Sequence, residues 1–258
     1  MDLTTLLGLV IGIGAVFGSV ILEGGHLSSL VSIPAFVIIA GGTLGATAIG
    51  FTMEELRTIP VLMKIAFTEE THDIGHLIST LVGFAEKARR EGLLALEDDL
   101  TTIDDKFLRK GMQLVIDGTD AELVRSIMET ELAFIQERHH KGASIFETAG
   151  GYAPTMGIVG TVMGLVHVLA NLKDTDSLGP AIAVAFLATF YGIFSANIFF
   201  LPIAGKLKNR SSHQVLVYEV ALEGILSVQA GDNPRIVEEK LEAFLPPQKR
   251  QKASAQDD

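Results

Sequence analysis

Pro154, Gly157, Thr161 and Gly164 recur at three- and four-residue intervals inside an uncharged apolar stretch, so on a helix they share one face. A second uncharged stretch carries Ala181, Ala185, Ala188, Gly192 and Ser195 as a stripe of small residues, with Thr189 at its edge. Proline lacks a backbone donor, so Pro154 frees a carbonyl one turn earlier. Thr161 and Thr189 add hydroxyls near the middle of their stretches. Carbonyl and hydroxyl oxygens together can replace part of the water shell of a small cation such as Na+. The plainer reading is that the threonines back-bond to their own helix and the proline only kinks it.

What these stretches lack narrows the chemistry. Neither contains Asp, Glu, Lys or Arg. Ion channels and pumps usually carry an intramembrane ionisable group. A carboxylate for an ion path must therefore come from a partner, and the small-residue faces suit the close approach of a partner's helix. Enzyme chemistry has little to build on. The chain has no cysteine, hence no thiol nucleophile or thiolate metal site. His139 and His140 are adjacent, so on a helix they diverge by about 100° and cannot chelate one metal from one face. His167 reads as an interfacial residue, and Ser195 has no base in its stretch. A net charge of -11 argues against nucleic acid, which needs clustered Lys and Arg.

The elements that position these residues are membrane helices. About 20 apolar residues cross a hydrocarbon core about 30 Å thick. Four stretches qualify: 3–22, 33–51, 148–170 and 178–204. Short links within each pair predict two helical hairpins. The first stretch lacks a basic leader and is too long for a signal-peptide core, so it reads as a retained helix. Of the 20 Lys and Arg residues, all but Lys173 lie in 52–147 or after 204. Basic residues mark the cytoplasmic side. The insert, the tail and the N-terminus are thus expected in the cytoplasm. Gly8-x-x-x-Gly12, Gly14-x-x-x-Gly18, Gly41-x-x-x-Gly45 and Gly160-x-x-x-Gly164 all offer close helix packing.

The predicted fold is an all-α membrane protein: transmembrane helices 1 and 2 in 1–51, a helical cytoplasmic domain in 52–147, transmembrane helices 3 and 4 in 148–204, and a cytoplasmic helical tail in 205–258. Within the insert, Leu77, Leu81, Phe84, Ala85 and Ala88 make one apolar helix face, and Gly92 is a candidate break after it. A second periodic stretch includes Leu114, Val115 and Ile116. Asp120 is a cap from which a long helix can run into the third span as one rod. In the tail, 216–230 is helical, Pro234 opens a short last helix at 235–244, and the residues after Pro246-Pro247 are expected to be disordered.

Three segments carry a family resemblance: "GGYAPTMGIVGTVMGLVHVLANLKD" at 150–174, "LGPAIAVAFLATFYGIFSANIFFLPIAGKLK" at 178–208 and "KARREGLLALEDDL" at 87–100. They resemble the MotA/PomA family of flagellar stator proteins, over most of the chain and in the right order. The resemblance implies a ring of five chains around two copies of a MotB or PomB partner, whose single span bears an ion-binding Asp. Ion flow would turn the ring, and the ring would drive the rotor protein FliG. By position, Pro154, Gly157, Thr161, Ala188, Thr189 and Pro202 match ion-path and partner-facing sites, and Arg89, Arg90 and Glu97 match charges that face the rotor. The resemblance implies no cofactor; the transported ion is H+ or Na+. It also implies a multi-pass protein of the bacterial cytoplasmic membrane, in contact with lipid.

Thr161 favours sodium. Sodium-type relatives typically have Thr-Thr on the fourth span where this chain has Ala188-Thr189, which removes an oxygen. The reading leans to sodium and keeps the proton open. The alternative is an energiser of envelope transport of the ExbB/TolQ type. That type shares the inner helix pair and the partner-borne Asp, but it has three spans.

Overall fold

The computed structural model describes residues 2–68, 73–172 and 175–245. Lys173 and the tail predicted to be disordered lie outside the described residues. All described regular structure is helical. Two compact units form, Met1–Glu69 with His139–Asn209 and Glu70–Arg138 with Arg210–Asp258.

The first unit holds the apolar helices. Helix α1 (Leu3–Leu22) is apolar all round and buries no residue in this chain, the mark of a helix whose solvent is lipid. Its start is tied down by Asp2. That carboxylate accepts from the Thr4 and Thr5 amides, both at 3.1 Å, and pairs with Lys206. Helix α2 (Ile33–Gly50) is capped by Ser32 and carries Pro34 in its first turn. It buries Ala35, Ile39, Thr43 and Thr47, one side chain per turn. A short helix α3 (Met53–Leu56) opens with a Thr52–Glu55 capping box. Helix α4 (Ile59–Phe67) packs Leu62 and Ala66 against Ala143, Phe146, Ile203 and Leu207. Among the described residues, four helices are long and apolar enough to cross a membrane.

The second unit is built around a buried apolar cluster. Helix α5 (Ile74–Glu91) presents Ile78, Leu81, Phe84 and Ala85 to it. A 3-10 turn (Leu93–Leu96) follows, then α6 (Glu97–Leu100) and α7 (Lys106–Ile116). Helix α8 (Ala121–Ala170) starts at Asp120, whose carboxylate accepts from the Glu122 amide at 3.0 Å. It runs unbroken for 50 residues, so the single rod foreseen from 122 onward is present. Helix α9 (Thr175–Ser195) passes through a π-helical segment (Ala196–Phe200) directly into α10 (Leu201–Ala230). The separate helix expected at 216–230 is therefore the end of one that begins at 201. Neither Pro202, which sits in the first turn of α10, nor Gly205 interrupts it. Helix α11 (Pro234–Glu242) has Pro234 at its first position, behind the Asn233 cap.

Residues 215–245 join the insert in one core. Val220, Ile225, Val228, Val237 and Leu241 are fully enclosed with Leu81, Met112, Val124 and Met128. Phe107 stacks on Tyr218 at 4.4 Å, and the Gln229 amide reaches the Thr119 carbonyl at 2.6 Å.

Gly92 ends α5 at φ 89°, ψ 162°, a region that only glycine occupies cheaply. No atom lies within 4 Å of the place a Cβ would take, so a substitution here tests backbone strain alone. Gly92→Ala is expected to lower unfolding stability by about 1–3 kcal/mol. The check is thermal unfolding of the purified complex; an unchanged midpoint would contradict it.

Candidate functional site

The two longest apolar segments meet through their smallest residues. A Cβ on Gly157 would stand 3.0 Å from the Thr189 Cα, one on Gly160 2.5 Å from the Ala188 Cβ, and one on Gly164 2.6 Å from the Ala185 Cβ. Gly192 is tighter still, with the Ala153 carbonyl oxygen 2.4 Å from its Cβ position. The pairs descend on one helix as they rise on the other, so the two run in opposite directions. The two small-residue stripes receive each other closely within this one chain. Ala185, Ala188, Gly157, Gly160 and Gly192 are buried against each other within the chain. Close backbone approach is what glycine and alanine permit, and dispersion then holds the pair. Of the other Gly-x-x-x-Gly motifs, a Cβ added at Gly8, Gly14, Gly18, Gly41 or Gly45 would meet nothing within 4 Å from another element, and only one at Gly12 would meet a neighbour, Ile198.

This close contact brings four oxygens together. The Thr161 hydroxyl lies 3.1 Å from the Gly157 carbonyl and 2.9 Å from the Ala185 carbonyl. It also touches the Thr189 hydroxyl, which lies 3.3 Å from the same Gly157 carbonyl. Two hydroxyl protons serve these contacts, so one threonine always acts as acceptor for the other or turns to a carbonyl. The back-bonding reading holds in part, since Thr161 reaches the Gly157 carbonyl of its own helix. The cross-helix bonds go beyond it. Both threonines are half-buried. Pro154 lies one turn before Gly157 and is also half-buried, whereas Pro202 is exposed, beyond the π-helical segment. Facing Gly150, Leu201 and Phe200 fill the space that a side chain would need.

Two anchors of this unit were not read from the sequence. The Tyr191 hydroxyl accepts from the Ser32 amide at 2.9 Å and donates to the Leu30 carbonyl. It thereby pins the link before α2 to α9, where Ala35 packs on Leu187 and Ala188. A lone phenol in an apolar helix was the available signal, because a buried hydroxyl must find a partner. The other anchor is Asp2. Lys206 first, and then the Thr4 hydroxyl, hold its carboxyl well below the usual carboxylate range, against the burial that would raise it. A depressed carboxylate contributes stability above its unfolded pKa of about 3.9 and loses it as pH falls through its lower folded value. Between pH 5 and 8 the anchor is therefore expected to be constant. Asp2→Ala should lower the unfolding midpoint of the purified complex by the same amount at both ends of that window; a loss confined to pH 8 would refute this assignment.

The second candidate region lies in the other unit. Arg89 and Arg90 end α5 and Glu97 begins α6, all three exposed. Gly92 breaks the helix between them, so they do not share one helical face. Lys87 joins the two arms through Asp99 at 2.7 Å.

Comparison with known proteins places the chain. Residues 6–92 match the motility protein A N-terminal family and residues 99–220 the MotA/TolQ/ExbB proton channel family. Motility protein A of Bacillus subtilis is 41% identical over 257 residues, covering 99% of this chain and 95% of that protein. The chain belongs to the MotA/PomA family. Chemotaxis protein PomA of Vibrio alginolyticus is 37% identical over 250 residues, covering 97% of this chain and 98% of PomA. The flagellar MotAB stator complex from Bacillus subtilis contains a chain matching with a TM-score of 0.92 at 41% identity, over 97% of this chain and 99% of that one. In this MotA/PomA-family chain the four-oxygen cluster thus stands in a helix pair that has no Asp, Glu, Lys or Arg from 148 to 170 or from 178 to 204.

Proposed function

We propose that this chain is an ion-conducting flagellar stator subunit, which with a MotB/PomB-type partner couples inward flow of H+ or Na+ to torque on the rotor. The stator role follows from its motility relatives and from the MotAB stator complexes it resembles. The observation that carries the ion path is the meeting of Thr161, Thr189 and two backbone carbonyls in a helix pair lacking any carboxylate. The missing charge is the partner's intramembrane Asp. Hydroxyl and carbonyl oxygens flank the path, and the Asp supplies the titrating or ion-binding group. Such a subunit is a channel component and not an enzyme. The named motility relatives favour this reading over the ExbB/TolQ alternative.

In the finer proposal, helices 1 and 2 and helices 3 and 4 are transmembrane hairpins in the bacterial cytoplasmic membrane, with both termini and the insert in the cytoplasm. The first pair faces lipid; the second lines the ion path. Five copies surround two partner copies, and Pro154, Gly157, Thr161, Ala188, Thr189 and Pro202 line the path or support the wall facing the partner. Arg89, Arg90 and Glu97 contact the rotor protein FliG. Exposed charges suit that contact because they orient a partner and exchange quickly without tight binding.

Charge reversal tests the output side. Arg90→Glu with Glu97→Lys is expected to cut stator recruitment to the motor by at least about tenfold, as like charges set against each other across a contact cost several kcal/mol and about 1.4 kcal/mol is already tenfold. Membrane level should be unchanged, since both side chains are exposed. Normal recruitment of the double variant, counted by fluorescence at single motors, would sink the rotor contact.

A further inference from the structure

The exposed turn after Gly92 puts an apolar side chain between a basic and an acidic arm. In the 3-10 turn Leu93–Leu96, Leu96 is fully buried and Leu93 packs half-buried on the core. Side chains at i and i+3 eclipse in such a turn, so Leu93 and Leu96 take the inner side and Leu94 is left outside. Leu94 is 73% exposed, against 53% for Leu123, 65% for Phe134 and 53% for Ile236, the other exposed large hydrophobics described in this unit. A lone exposed leucine is ordinary. Leu94 is distinguished by its setting. Arg89 and Arg90 precede it, Glu97 and Asp98 follow it, and all four are exposed. The Lys87–Asp99 bridge at 2.7 Å holds the basic and acidic arms on either side of it.

Exposed charge pairs steer and orient, but each adds little to affinity. A contact that transmits force needs a component that salt and water do not screen. An apolar centre inside a charged rim is the general anatomy of a protein interface. We infer that Leu94 is the apolar anchor of the rotor contact, seated in an apolar depression of a protein surface that is acidic toward Arg89 and Arg90 and basic toward Glu97 and Asp98. The inference rests on the rotor contact proposed above and adds a residue to it. One modest apolar anchor also fits a contact that must release at each step.

The test is the dwell time of fluorescent stators at single rotating motors. Leu94→Ser and Leu94→Gln are expected to shorten it about tenfold, as for truncation of an interface anchor, while Leu94→Met stays within about twofold of wild type. Membrane level and the size of the purified complex serve as folding controls, and two polar variants guard against one failing to assemble. Wild-type dwell in both polar variants, with Arg90→Glu/Glu97→Lys still shortened, overturns the anchor and leaves the rotor contact standing. Wild-type dwell in all three overturns both.

Discussion

Gly192→Ala is expected to abolish torque, whereas Gly14→Ala and Gly18→Ala leave it near the wild-type level. The three changes add the same methyl group to glycines of apolar helices. At Gly192 that methyl lands 2.4 Å from the Ala153 carbonyl oxygen and 3.2 Å from the Gly157 Cα. Both obstacles are backbone, so no side chain can turn aside and the helices must part. A gap of about 0.5–1 Å already forfeits a quarter to a half of the dispersion attraction across it, and overpacking costs about 1–3 kcal/mol. Separation also pulls the Thr189 hydroxyl from Thr161, since Gly157 and Thr189 face each other one turn from Gly192. At Gly14 and Gly18 nothing lies within 4 Å. Tethered-cell rotation, with recovery of the assembled complex as control, checks the contrast. Full torque from Gly192→Ala would show that the tight packing of the two helices is dispensable.

Removing both hydroxyls, with Thr161→Val and Thr189→Val, should lower ion flux at least about tenfold while the stator complex still assembles. Valine keeps the branched shape but deletes the oxygens that meet across the two helices. A lost hydrogen bond of about 1–1.5 kcal/mol corresponds to roughly a five- to twelve-fold change each. Either single variant should fall between wild type and the double, because the remaining hydroxyl still reaches the Gly157 carbonyl. Buffer composition then separates the two ions. If sodium is carried, wild-type torque falls in sodium-free buffer at fixed proton motive force, and the double variant needs more sodium for half-maximal torque. Unchanged wild-type torque without sodium would eliminate sodium. Full ion-dependent torque from the double variant would remove Thr161 and Thr189 from the path.

The sequence by itself determined the features encoded within a few neighbouring residues. Four uncharged stretches gave four apolar helices because a helix needs only length and composition to be stable in lipid. Asp120 marked the start of α8, Pro234 the start of α11, and Gly92 the end of α5, since caps and special backbone angles are local. Family membership was also legible, carried by motifs on both long apolar segments and on the charged turn.

What only the tertiary structure decided is which similar-looking residues meet. Four Gly-x-x-x-Gly motifs read alike, yet both glycines are packed only in the one formed by Gly160 and Gly164. The small-residue stripes, legible as faces, are occupied by each other. The tail, read as separate, shares one core with the insert, through partners such as Phe107 and Tyr218. Tyr191 and Asp2 are anchors because Leu30, Ser32 and Lys206 come to them from far along the chain. Helical periodicity reports which way a side chain faces, and it carries no information about what stands opposite. That pairing is set by backbone approach, to within a few tenths of an ångström.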